Sequence, residues 1–224
     1  MPLYSTRSAF ARVFTQRCFY LFFALLLLLV AVPFLGQTVG GRIAANGINL
    51  LILLAAIAAV GRSTSSFLIG LLLAVPTVAF QLLGLSLSET RYLALSWMFG
   101  AAFYFATIAY LLRYVFSPEA MSADKLYGAA SVYLMLGLLW LYFYLLADYF
   151  FHGSFSIGGS VAQLGASDLI YFTFTVLTTT GFGDVTPVLP LARALVTLEQ
   201  LSGTLFIAIL IARLAGIYPA KANE

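Results

Sequence analysis

The sequence predicts an all-α membrane protein with six transmembrane helices. Between the fifth and sixth it predicts a shorter helix that enters the bilayer without crossing it. Three observations carry this. Of the 224 residues, 62% are hydrophobic and 8% are charged, against about 25% charged in a soluble domain. Six segments are long or apolar enough for membrane helices: roughly 18–36, 47–61, 66–87, 92–113, 127–151 and 189–214. Between the last two, 169–179 is apolar but would be only about 16 Å long at 1.5 Å per residue, half a bilayer.

Taken in order, the first segment follows Arg7, Arg12 and Arg17, an arrangement shared with signal peptides. Its apolar run is about as long as a membrane helix, and no small-x-small cleavage site follows, so it reads as a retained helix. Cys18 is the single cysteine. It excludes an intrachain disulfide and a Cys-rich metal site, and it is expected to pack in this first helix. The second segment is short and rich in Gly and Ala. Pro33 and Pro76 are expected to kink their helices, and Gly70 and Gly84 to permit close approach. The connection 114–126 carries Pro118, Glu119, Asp124 and Lys125. It divides a four-helix block, 18–113, from a second module, 127–214, with tails at 1–17 and 215–224. The fifth segment is aromatic, with Tyr133, Trp140, Tyr142, Phe143, Tyr144, Tyr149, Phe150 and Phe151. These side chains suit either lipid contact and interfacial anchoring or a cuff that supports the short helix from outside.

Basic residues orient the chain. With six spans and a cytoplasmic N-terminus, Arg7, Arg12, Arg17, Arg62, Arg113, Lys125, Arg213 and Lys221 fall inside, and Arg42, Arg91 and Arg193 outside. Both termini are then cytoplasmic and the 152–188 connection faces out. The stretch 153–166, rich in Gly, Ser and Ala, reads as an external loop. Ser167 or Asp168 supplies an N-cap for the short helix, whose C-terminal end carries partial negative charge that favours a cation.

That helix runs into Thr178-Thr179-Thr180-Gly181-Phe182-Gly183-Asp184. Hydroxyl residues precede two glycines around one aromatic residue, and a carboxylate follows. This order suits a narrow ring of backbone carbonyls that strips water from a cation. Thr179-Thr180-Gly181-Phe182-Gly183 resembles the Thr-Val-Gly-Tyr-Gly filter loop of potassium channels. The run from Asp168 through Tyr171, Phe172 and Phe174 to Pro187 resembles the pore loop of the tetrameric potassium-channel superfamily. The likeness covers 127–214, the two-helix pore module of the bacterial ion-channel type.

The resemblance implies a re-entrant pore helix and a selectivity filter in a voltage-gated-channel-like plan. The carbonyls of Thr180, Gly181, Phe182 and Gly183 would replace the hydration of potassium, and Thr179 would add its hydroxyl and carbonyl at the cavity end. Gly181 and Gly183 suit backbone angles closed to other L-residues. Asp168 would cap the pore helix. Gly203 falls where the family often has an inner-helix hinge. One copy of the motif supplies too few oxygens to offset desolvation of an ion, which is tens of kcal/mol by Born estimates. Four chains around one axis are therefore implied. Phe182 in place of tyrosine removes a hydroxyl that often ties the filter to the pore helix, and Thr180 in place of Val or Ile adds one behind it. Both suggest a less rigid filter.

Several further residues have two readings. Asp184 either forms a ring of carboxylates at the mouth or braces the filter through an internal hydrogen bond. Glu199, mid-helix, is a functional candidate at that depth. It either braces the pore helix through Thr175 or Thr178, lines the cavity, or packs as a satisfied core group. Ser202 and Thr204 are cavity-lining candidates, and Arg193 is expected at the outer interface. His152, the single histidine, is either an external proton sensor or a solvated interfacial residue.

A voltage sensor needs several basic residues along one helix. The fourth segment has Arg91 and Arg113 only at its ends, so no charged S4-type sensor is expected, and no ligand-binding domain is expected after residue 214. A transporter would be expected to have paired repeats, and an enzyme a cluster of His, Asp, Glu or Cys at one depth. Neither pattern appears, and no phosphate-binding Gly-rich loop points to nucleotides. The expected function is passive potassium conduction by a homotetramer, three further copies and membrane lipid being the partners. No enzyme activity, no nucleic-acid partner and no cofactor beyond the permeant ion are expected. A non-selective monovalent cation channel is the alternative, and a cation transporter subunit stands behind it. The expected location is a prokaryotic inner membrane.

Overall fold

The computed structural model describes residues 17–35, 39–61, 64–119, 121–161 and 164–217. Arg7, Arg12, Arg62 and Lys221, used above for orientation, lie outside the described residues. The elements are α1 (Arg17–Leu35), α2 (Val39–Val60), α3 (Thr64–Leu87), α4 (Thr90–Val115), α5 (Ala123–Phe150), β1 (Phe155–Ile157), β2 (Ser160–Val161), α6 (Ala166–Leu177), β3 (Val185–Pro187) and α7 (Pro190–Ile217). Among the described residues, five helices, α1, α3, α4, α5 and α7, are long and apolar enough to cross a membrane, and α2 adds a shorter apolar stretch, Asn46–Val60. The protein is an all-α membrane protein in its architecture.

Contacts divide the chain into two compact units, one up to Tyr142 and one from Phe143 onward. In the first unit, Cys18, Leu21, Leu25, Leu28 and Val32 of α1 are buried. They recur every three or four residues and so form one helical stripe. Lipid tails are as apolar as leucine, so packing rather than escape from water holds such helices together. Small residues are the means. A Cβ on Gly84 would sit 2.6 Å from the Leu93 side chain, and one on Gly100 would sit 2.9 Å from the Tyr142 ring. Gln81 donates to Asn46 Oδ1 at 2.7 Å and accepts from Asn49 at 3.3 Å, and the Ser96 hydroxyl reaches the Thr77 carbonyl at 2.9 Å. Such intramembrane bonds contribute about 0.6 kcal/mol each on average. Pro33 and Pro76 lie inside unbroken helices. Next to Pro76, the Thr77 hydroxyl donates to the Leu73 carbonyl at 2.7 Å.

The connection after α4 is tied down by two adjacent residues of opposite charge. Asp124 accepts from the Cys18 backbone N–H at 2.9 Å and from the Tyr114 hydroxyl at 2.7 Å. It thus satisfies an orphan donor at the start of α1. Buried Lys125 donates to the carbonyls of Ser117 (3.3 Å) and Glu119 (2.9 Å).

The second unit contains a small antiparallel sheet in the order β2-β1-β3, where the sequence reading expects only a loop over 153–166. β1 and β2 are joined through Gly158 and Gly159, with φ of +56° and +84°. Two residues at positive φ are what a two-residue hairpin turn needs. β1 also pairs with β3, placing Phe155 opposite Pro187, Ser156 opposite Thr186 and Ile157 opposite Val185. The hydroxyls of Ser156 and Thr186 lie 2.8 Å apart, and Val188 N–H reaches the Ser154 carbonyl at 2.8 Å.

Candidate functional site

The site lies in the second unit, where α6 ends and the chain turns back toward β3. α6 starts at Ala166, with Gly165 as its N-cap. Ser167 and Asp168 are therefore inside the helix, a correction to the expected N-cap. Asp168 still acts at this end: it accepts the Gly165 N–H at 3.2 Å and sits in the first turn, where negative charge is favoured.

At the other end of α6 the backbone changes hand at alternate residues. Thr179, Gly181 and Gly183 have φ of +58°, +54° and +79°. An ordinary extended strand points successive carbonyls to opposite sides. Reversing the hand at every second residue is the way to bring them toward one side. Two glycines take this at no steric cost. Thr179, β-branched, takes it at a cost of about 1–3 kcal/mol, the kind of strain found at functional sites. The sequence reading had given this conformation to the glycines alone. One carbonyl anchors the run: Thr175 O accepts from the N–H groups of Thr180 (2.8 Å) and Gly181 (3.1 Å). The Thr178 and Thr180 hydroxyls lie 2.9 Å apart. Residues 178–184 are all exposed in the single chain.

Beyond the glycines, Phe182 is 70% exposed, and its ring stacks on Tyr171. The Tyr171 hydroxyl interacts with the Asp184 carboxylate, and the Asp184 carbonyl accepts the Gly158 N–H at 3.0 Å. Asp184 is thus braced as well as exposed. Tyr171 of α6 thus contacts the 178–184 run at Phe182, although the hydroxyl that a tyrosine at 182 would bring is missing.

Behind α6, Glu199 is fully buried. It accepts hydrogen bonds from the Tyr144 and Thr173 hydroxyls. This corrects two of its readings: it does not project into open space, and its α6 partner is Thr173. The Thr175 and Thr178 hydroxyls instead donate to carbonyls of their own helix, Phe172 (2.8 Å) and Phe174 (2.6 Å). Tyr144, Phe155 and Phe172 form an aromatic triangle, with centroids 5.3–5.6 Å apart. Tyr144 therefore belongs to a cuff, while Phe150 and Phe151 are exposed. α7 runs unbroken through Gly203. A Cβ there would meet the Leu177 carbonyl at 2.5 Å, so in this conformation Gly203 is a packing glycine. Ser202 donates to the Glu199 carbonyl at 2.8 Å, and Thr204 is exposed. Arg193 is exposed and donates to the Pro187 carbonyl at 3.3 Å. His152 Nδ1 lies 2.9 Å from the Asp148 carbonyl.

Residues 132–218 match the family model described as "Ion channel". This segment is an ion-channel domain. The match spans most of α5, α6, the 178–184 run and α7, and it supports the resemblance to the potassium-channel superfamily. No curated protein and no solved structure matches the chain. Sequence reasoning placed Tyr144 in a candidate cuff but missed its bond to Glu199, and it missed Thr173 and Tyr171 as contacts of Glu199 and Phe182. All three are aromatic or hydroxyl residues on apolar helices, where the sequence gives no sign of which face meets which.

Proposed function

We propose that the protein is a passive, potassium-selective channel, with four copies of the chain around one pore. The single observation that carries this reading is the alternation of positive φ at Thr179, Gly181 and Gly183 within an ion-channel domain. Carbonyls gathered on one side of each chain, repeated fourfold, supply the oxygens that replace a cation's hydration shell. Potassium is the permeant ion, held by carbonyls of Thr179, Thr180, Gly181, Phe182 and Gly183, and Asp184 concentrates cations at the mouth. The exposure of the whole 178–184 run supports assembly, because irregular backbone at membrane depth needs protein or water around it. The pore faces outward from a prokaryotic inner membrane, with both chain ends in the cytoplasm. Voltage does not gate it, since Arg91 and Arg113 stand at the two ends of α4.

A second reading, a non-selective monovalent cation channel, is favoured by Thr180 and Phe182, which depart from the potassium-channel loop. Rubidium and sodium uptake into liposomes holding the purified protein separates the two. Rubidium uptake well above sodium uptake, abolished by Gly183→Ala, supports the potassium reading. Equal uptake supports the second, and uptake unaffected by Gly183→Ala sinks the filter assignment.

A further inference from the structure

We propose that Glu199 is a positioning residue for conduction: its carboxylate clamps α6 between α5 and α7 and thereby sets the filter geometry. This rests on the channel reading above.

Glu199 is the single acid of α7, and none of its surface is exposed. A buried carboxylate is costly in a membrane helix unless its oxygens are satisfied. Here each oxygen receives one hydroxyl, and the two hydroxyls come from different helices. Thr173 of α6 donates to Oε1, and Tyr144 of α5 donates to Oε2. Packing alone would be served equally well by leucine or methionine. A group with two acceptor oxygens is needed only if two donors must be held at once.

The clamp acts together with a second contact. One turn beyond Glu199, the missing side chain of Gly203 leaves room for the carbonyl of Leu177. Thr173 to Leu177 is four residues on α6, and Glu199 to Gly203 is four residues on α7. α7 therefore meets α6 at two points about 6 Å apart along each axis. Two points fix the slide and the tilt of α6, and Tyr144 holds the same carboxylate from a third helix. Midway between those points is Thr175, whose carbonyl accepts the N–H groups of Thr180 and Gly181. A displacement of α6 is thus passed directly to the filter backbone. The hydroxyl of Thr173 matters because of what hangs from the turn that carries it.

Near-isosteric variants test this without emptying the core. Thr173→Val and Tyr144→Phe each remove one donor, and Thr173→Ser keeps one. Two readouts are taken on the purified protein: the rubidium-to-sodium uptake ratio in liposomes and hydrogen exchange at the Thr180 and Gly181 amides. Thr173→Val and Tyr144→Phe are expected to lower the ratio about fivefold to tenfold, the scale of one buried hydrogen bond, and to speed amide exchange. Thr173→Ser is expected to match wild type in both. Wild-type ratio and wild-type exchange in Thr173→Val and Tyr144→Phe would overturn the proposal. If the wild-type protein passes no cation, the channel reading fails. The exchange arm then decides the clamp: faster exchange in Thr173→Val but not in Thr173→Ser upholds it, and equal exchange in both overturns it.

Discussion

The Tyr171 ring lies parallel to the Phe182 ring, with 6.4 Å between centroids and 7° between planes. The hydroxyl of the same tyrosine interacts with the Asp184 carboxylate. One side chain of α6 thus meets both Phe182 and Asp184. Tyr171→Phe keeps the stacking and removes the hydroxyl. It is expected to shorten the conducting lifetime several-fold in single-channel records, with assembly intact on size-exclusion chromatography. Wild-type lifetimes in this variant would show that stacking alone supports the filter mouth.

Gly203 gives a second prediction. A Cβ 2.5 Å from the Leu177 carbonyl meets backbone that cannot yield without moving the end of α6. Gly203→Ala should destabilise the protein by about 1–3 kcal/mol, the usual cost of overpacking, and should reduce flux. Thermal unfolding in detergent measures the first and liposome uptake the second. An alanine variant with wild-type melting and flux would contradict the close approach.

Thr179 is the one β-branched residue among the described residues with positive φ. Left-handed backbone costs such a residue about 1–2 kcal/mol, whereas glycine takes it freely at some loss of chain entropy. Thr179→Gly should therefore leave stability unchanged or raise it by about 1 kcal/mol, while flux falls because the hydroxyl is gone. Thermal unfolding paired with flux reads both. A strongly destabilised glycine variant would mean that the Thr179 side chain, rather than its backbone, secures the turn.

What could be read from the sequence depended on range. The helices follow from local hydropathy, and most ends differ by only a few residues, as for 92–113 against Thr90–Val115 and 169–179 against Ala166–Leu177; the second helix starts at Val39, eight residues before the expected 47. The unusual backbone of 178–184 could be read at Gly181 and Gly183 because the two glycines lie close together in the chain. The sheet was not legible as strands, since three residues, Phe155–Ile157, are too few to display an alternating pattern. The Gly158-Gly159 pair between them was the available signal. The partner of Glu199 was misassigned for a different reason. Thr173, Thr175 and Thr178 are all hydroxyl residues on or just after one short helix. Which of them meets α7 depends on the rotation of α6, and that is set by Leu177 against Gly203 and by Tyr144, contacts distant in sequence.

The four-helix block leads to a negative prediction. Arg91 pairs with Glu89 at 3.4 Å and lies over the Tyr92 ring at 5.1 Å, and Arg113 falls in the last turn of α4. Neither stands mid-helix, where moving a charge through the field does work. Arg91→Gln and Arg113→Gln should leave any voltage dependence of the current unchanged. A large shift of the activation midpoint in either variant would restore a sensing role to α4.

Potassium selection by the carbonyls of Thr179 to Gly183 is the step of the proposed function on which the others depend. The reversal potential of the purified protein in a planar bilayer, with potassium on one side and sodium on the other, tests it most directly. The expected result is a reversal potential far from zero, of the sign that potassium permeation sets, and its collapse to unselective leak or silence in Gly183→Ala. A reversal potential near zero in the wild-type protein, with robust current in both ions, would contradict it.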